Sequence, residues 1–233
     1  MKKILFWLVF SSLYSYSFAA QTATKHPVPA GVKPVASATT KIADSGVIVN
    51  IPCEANSACA VVSETTRQLL AVINQDSSAD QIQSIVAPQF DFVLMTKYAL
   101  GNNWKLANPD QQAQLSSLFR QLLIYTYATA ISKFKGAQIT ILSADTDERK
   151  AAVVSKVVLP NSSNSNQPVK VEYDLAKLPG SNAWKAYDIK IENASLVTTY
   201  RNQFNEVIQS SKIDGLIKQL QTKIAGLEKA KSE

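Results

Sequence analysis

Histidine is almost missing from this chain: His26 is the only one among 233 residues. A serine or cysteine nucleophile is usually activated by a base within hydrogen-bond reach, most often histidine. His26 sits in a proline-punctuated stretch near the N-terminus, where it is poorly placed for that work. No cluster of histidine and carboxylates has metal-ligand spacing. Glycine is also scarce, at seven residues, and none of them forms a phosphate-cradling loop. Lysine and arginine do not gather into a dense run with interleaved aromatics, which argues against nucleic-acid binding. Beyond the first residues no segment reaches 18 uninterrupted apolar positions, so no later transmembrane helix is expected. No internal repeat is present. The acidic turn Asp145-Thr146-Asp147-Glu148 lacks the remaining ligands of a calcium loop. It reads as a solvated hairpin tip, with weak calcium binding as the alternative.

What is present begins with an export signal. Lys2 and Lys3 precede an apolar core over residues 4–13, and Ser17-Phe18-Ala19 offers small residues where a signal peptidase reads. Residues 1–19 are therefore expected to be removed. Cleavage after Ala20 is disfavoured, because it would put Phe18 at a small-residue position. Losing the two lysines lowers the formal charge from +6 to +4. That is compatible with an anionic lipid surface or an acidic partner, and equally with an ordinary exported protein. Residues 20–46 hold Pro27, Pro29 and Pro34 in an Ala/Thr/Lys-rich run without apolar period, and read as a disordered arm. Cys53 and Cys59 are the only cysteines. In an exported chain they read as one disulfide. A metal site or redox pair is the alternative, but two thiols lack further ligands and the spacing is not Cys-x-x-Cys.

The remainder, residues 47–233, reads as one domain. Residues 47–51 form a short apolar run suited to an edge strand, with simple packing as the alternative. Val62, Thr65, Leu69, Val72 and Ile73 mark a helix; Ile82, Ile85 and Val86 mark a short second one ended by Pro88. A third spans residues 90–100, closed by Gly101. The next starts at Asn108-Pro109-Asp110-Gln111, a capping-box spacing, and is expected to reach about residue 135. Its apolar stripe is Leu115, Leu118, Phe119, Leu122 and Tyr125. Leu123, Ile124 and Tyr127 widen that stripe beyond what one packing partner requires. Four strands follow, over residues 137–143, 151–159, 168–175 and 183–192, and their short loops predict antiparallel pairing. Val169, Val171, Tyr173 and Leu175 share one face with Tyr187, Ile189 and Ile191 of the last strand. Lys170, Glu172 and Asp174 take the other face as a surface charge ladder. Two helices, over residues 195–209 and 214–229, end the chain.

Three segments carry a family resemblance. Trp184 to Phe204 switches from strand to helix period across Asn193. Residues 92–112 place Phe92, Tyr98, Leu100-Gly101, Trp104-Lys105 and Pro109 to Gln112 in order. Ile213-Asp214-Gly215-Leu216 precedes the last helix. Together they resemble the MlaC, or toluene-tolerance, family of periplasmic phospholipid carriers over residues 63–229. Asn193-Ala194 departs from the Gly-Val often found there, which is expected to alter the turn and not the fold.

The resemblance implies an α+β fold, a mostly antiparallel sheet wrapped by several helices, with an apolar pocket between sheet and helices for acyl chains. It implies a monomeric, non-catalytic periplasmic carrier with no cofactor. Its ligand would be phospholipid. Its partners would be an outer-membrane lipoprotein–porin complex and an inner-membrane MCE-type ABC transporter complex, the outcome being maintained outer-membrane lipid asymmetry. Lining residues expected on this basis are Leu94, Tyr98, Leu118, Leu122, Tyr125, Val171, Tyr173, Tyr187, Ile189 and Ile191, each with plain core packing as the alternative. Trp104 and Lys105 are expected near the mouth, with Lys105 meeting phosphate. Two rival readings remain open: an exported adhesion or chaperone subunit with a filled core, and an NTF2-like enzyme with a polar residue buried in its cone.

Overall fold

The computed structural model describes residues 46–75, 78–159, 168–178 and 180–232. The signal segment, His26 and nearly all of the arm lie outside these residues.

Six strands lie side by side in chain order: β1 (Val47–Val49), β2 (Gln138–Thr146), β3 (Lys150–Val158), β4 (Val169–Lys177), β5 (Trp184–Ile191) and β6 (Ala194–Ser195). From β2 onward each pair is antiparallel, as short connections require. β1 differs. It pairs parallel with β2, Val47 opposite Ile139, because the whole helical half of the chain intervenes and returns the backbone in the same direction. Alternation sets the two faces of the sheet. Lys170, Glu172 and Asp174 lie on one face of β4, where Lys190 Nζ stands 2.7 Å from Glu172 and 2.8 Å from Asp174. The expected charge ladder is therefore real, and Val171 and Tyr173 take the opposite face.

One expectation about β5 needs correction. Asp174 pairs with Asp188, but Leu175 pairs with Ala186, so Tyr187 is left over in a bulge. An unpaired residue reverses the alternation on its far side. Ala186 and Trp184 thereby join Leu175 in the buried core, while Tyr187 leaves the Ile189–Ile191 row. Its ring lies 5.1 Å from that of Tyr98 instead.

The helices start where their sequences say they should. α1 (Ala58–Asn74) is capped by Ser57, which accepts from the Ala60 amide, and Cys59 in its first turn is disulfide-bonded to Cys53. α2 (Ala79–Val86) opens on a capping box of Ser78 and Gln81 and runs into a 3₁₀ turn that holds Pro88. α3 (Phe92–Leu100) is capped by Asp91 and ends at Gly101, whose φ of 55° is the left-handed value that favours glycine. α4 (Pro109–Ile131) has the predicted capping box: Gln111 N donates to Asn108 at 2.9 Å and Asn108 N to the Gln111 side chain at 3.0 Å. It stops short of residue 135, giving way to a 3₁₀ turn over Ser132–Phe134.

The last helical stretch, α5 (Leu196–Ser232), is two helices meeting at a kink, as expected, and the break falls at the expected place. Lys212 has φ 62° and ψ −170°, outside helical values. Gly215 sits just beyond. A Cβ there would meet the Ser211 Cβ at 2.2 Å, so only glycine lets the chain fold back this tightly. Gln111 donates to Asp214 at 2.7 Å and ties the break to the start of α4.

α3, α4 and α5 enclose a helical core. Phe119 is fully buried there and meets Tyr200 and Phe204 edge-on, at 4.9 and 5.2 Å between ring centroids. A second core joins the first turns of α1 to Ile141, Val153, Leu175 and Trp184 of the sheet.

Candidate functional site

Between the inner sheet face and the helices lies a cavity of ≈ 280 Å³. Ile139, Val157, Val171, Tyr173, Ile189 and Ile191 form its sheet wall. α1 contributes Thr65, Leu69 and Ile73 among others, and α2 contributes Ile82, Gln83 and Val86. Phe92 and Met95 of α3 and Leu123, Ile124 and Tyr127 of α4 close the remaining sides. Ala194 and Leu196, on either side of the step from β6 into α5, line one end.

Among the described residues no charged side chain lines the cavity. Its few hydroxyls have partners, Thr65 donating to the Val61 carbonyl at 2.7 Å. Tyr173 is hydrogen-bonded to Ser155 and Thr66, and burial pushes its phenol up against the smaller opposing pull of those two bonds. Burial likewise raises the Tyr127 phenol far above its ordinary value, helped by its hydrogen bond to Tyr200. Both phenols are therefore neutral at any physiological pH. Ordered water in a protein interior typically needs two to four polar partners, and these walls offer few free ones. The space is on the order of twenty times what one water requires. Such a cavity is suited to long apolar matter. Among the described residues no group of His, Cys, Asp or Glu is arranged to hold a metal ion.

Four expected lining residues come together on the wall: Val171, Tyr173, Ile189 and Ile191. The others lie elsewhere. Leu118 and Leu122 are buried in the helical core on the other side of α4, with Leu115 and Phe119. Tyr125 hydrogen-bonds the Glu228 carboxylate, which raises its phenol. Leu94 and Tyr98, one helical turn apart on α3, are not among the lining residues, whereas Phe92 and Met95 are. Tyr187 follows Tyr98 because of the β5 bulge. Trp104 packs on the helical core from the 3₁₀ turn after α3, its carbonyl accepting from Gln112 at 3.0 Å, while Lys105 beside it is exposed. Sequence reasoning missed α1, α2 and Phe92 as wall. It did record the signal for α4: Leu123, Ile124 and Tyr127, the residues that made its stripe too wide for one partner, are the ones that face the cavity.

An open, mostly antiparallel sheet with helices packed around it and an apolar cavity between the two defines an α+β protein built to enclose apolar matter. Residues 63–222 match the MlaC protein family, and the chain belongs to it. Among curated relatives, the toluene tolerance protein ttg2D of Pseudomonas putida is 24% identical over 164 residues, covering 64% of this chain and 72% of that one. Among solved structures, a phospholipid-binding protein from Ralstonia solanacearum, determined in complex with a phospholipid, is 30% identical with a TM-score of 0.62. The match covers 72% of this chain and 97% of that chain.

Proposed function

We propose that this protein carries phospholipid through the periplasm, holding the acyl chains in the cavity between sheet and helices and leaving the headgroup at the rim. The observation that carries this reading is the cavity itself: large, uncharged and walled by both the sheet and four helices. The solved relative with a bound phospholipid supports it.

The energetics explain why a carrier is needed and why no catalytic group is. Each buried methylene is worth about 0.8 kcal/mol, so bringing two chains of about 16 carbons into water costs on the order of 25 kcal/mol. A cavity nearly as apolar as the bilayer turns that barrier into an exchange between similar environments. No bond is made or broken. Among the described residues no helix is long and apolar enough to cross a membrane. The export signal in residues 1–19 supports the periplasmic location. The route we propose runs between an outer-membrane lipoprotein–porin complex and an inner-membrane MCE-type ABC transporter, so that outer-membrane lipid asymmetry is maintained.

Transfer of labelled phospholipid between two vesicle populations tests this. Protein should raise the transfer rate in proportion to its concentration, with no change in the lipid's chemical structure. A rate equal to spontaneous exchange, or recovery of hydrolysed lipid, would contradict it.

A further inference from the structure

Among the described residues no charged side chain lines the cavity, so a protein cation that reads the headgroup of a bound amphiphile would stand at its rim. We propose that Arg120 is that cation, contacting the phosphate of the carried phospholipid. The proposal rests on the carrier reading and gives it a selectivity element.

On α2, α3 and α4 the cavity wall includes half-buried Gln83, Phe92 and Ile124 beside buried Ile82, Met95 and Leu123. Arg120 stands next to two of these half-buried residues. It lies one turn before Ile124 on α4, is exposed, and its guanidinium carbon is 5.7 Å from the centre of the Phe92 ring. One face of Phe92 is thus covered by a cation, and the same side chain forms part of the cavity wall.

Among the described residues no carboxylate forms an ion pair with Arg120. Asp91, next to Phe92 in the chain, keeps its charge while accepting from the Leu94 amide as the cap of α3. The Lys185 ammonium, near the same 3₁₀ turn, donates to the Pro88 carbonyl at 2.5 Å. A guanidinium offers several donors in a planar fork that matches two phosphate oxygens at once. Stacking on Phe92 restricts where that fork can go, which reduces the ordering needed when an anion arrives.

The test uses the full mature chain and two probes with identical acyl chains, phosphatidylglycerol and diacylglycerol, which differ by the phosphate headgroup. Protein is loaded with each, and loss of lipid to neutral acceptor vesicles is timed. Arg120→Gln should release phosphatidylglycerol about threefold to tenfold faster than the parent and leave diacylglycerol release unchanged. Arg120→Lys, which keeps the charge and can keep the ring contact, should recover most of the difference. High salt should speed phosphatidylglycerol release from the parent and not from Arg120→Gln. Equal acceleration for both lipids would mean that Arg120 acts by packing on Phe92, and no acceleration for either would mean that it meets no phosphate; each overturns the proposal while the carrier reading stands. A parent protein that takes up neither lipid would overturn both.

Discussion

Replacing Val171 by tryptophan separates a cavity from a filled core. Val171 is 8% exposed, lies mid-strand on β4 between Ser155 of β3 and Ile191 of β5, and lines the cavity. Val153, on the neighbouring strand, is fully buried in the second core and does not line the cavity. In a filled core an added ring forces off-rotamer side chains and backbone shifts that cost about 1–3 kcal/mol, occasionally more. That is the expectation for Val153→Trp. At position 171 the ring has open space of ≈ 280 Å³ beside it and removes apolar surface from that space. The delipidated Val171→Trp protein should therefore lie within about 1 kcal/mol of the parent. For a domain of this size each kcal/mol moves the melting temperature by roughly 2–4 °C, so the two variants are distinguishable by calorimetry. Lipid content, read by organic extraction and mass spectrometry, should fall for Val171→Trp and hold for Val153→Trp. If Val171→Trp melts as low as Val153→Trp and keeps its lipid, position 171 is ordinary core and the reasoning fails.

Other consequences are simpler to measure. Changing Cys53 and Cys59 to serine should lower stability by about 2 kcal/mol, the chain-entropy value for so short a loop, with lipid content unchanged; a midpoint in denaturant equal to the parent's would contradict it. Gly215→Ala should destabilise by about 1–3 kcal/mol, because its new Cβ meets that of Ser211 at 2.2 Å, and Ser211→Gly should restore much of the loss. If the pair is additive, the clash is not the cause. Glu172 accepts a hydrogen bond from Lys190, which holds its carboxyl below the usual carboxylate range. Its contribution is thus present above the unfolded value of about 4.3 and is lost as pH falls through the lower folded value. Glu172→Gln should flatten that acid limb, and an unchanged pH profile would show that the ladder adds nothing.

Much of the fold was legible because it depends on local rules. Strand alternation in Val169–Lys177 and the capping box at Asn108 each follow from a few neighbouring residues. The break before Gly215 was legible in place but not in cause, since the Ser211 contact requires the folded backbone. The site was half legible. Inward strand residues can be read from a period of two, and Val171, Tyr173, Ile189 and Ile191 are where that period puts them. Tyr187 is not, because a bulge depends on the register against β4, which no single strand encodes. On α4 the difficulty is that two apolar surfaces share one helix. Leu118 and Leu122 pack against α3 and α5, while Leu123 and Ile124, one or two positions on, face the cavity. A stripe of extra width signals two partners without saying which is protein and which is ligand.

Most directly, the cavity's occupant can be identified by purifying the mature protein from periplasm without detergent, extracting it with organic solvent and quantifying lipid against protein by mass spectrometry. The account predicts close to one phospholipid per chain, held by burial of its acyl chains, in protein that retains its folded structure. Folded protein that yields no phospholipid, and takes up none when offered vesicles, would contradict it.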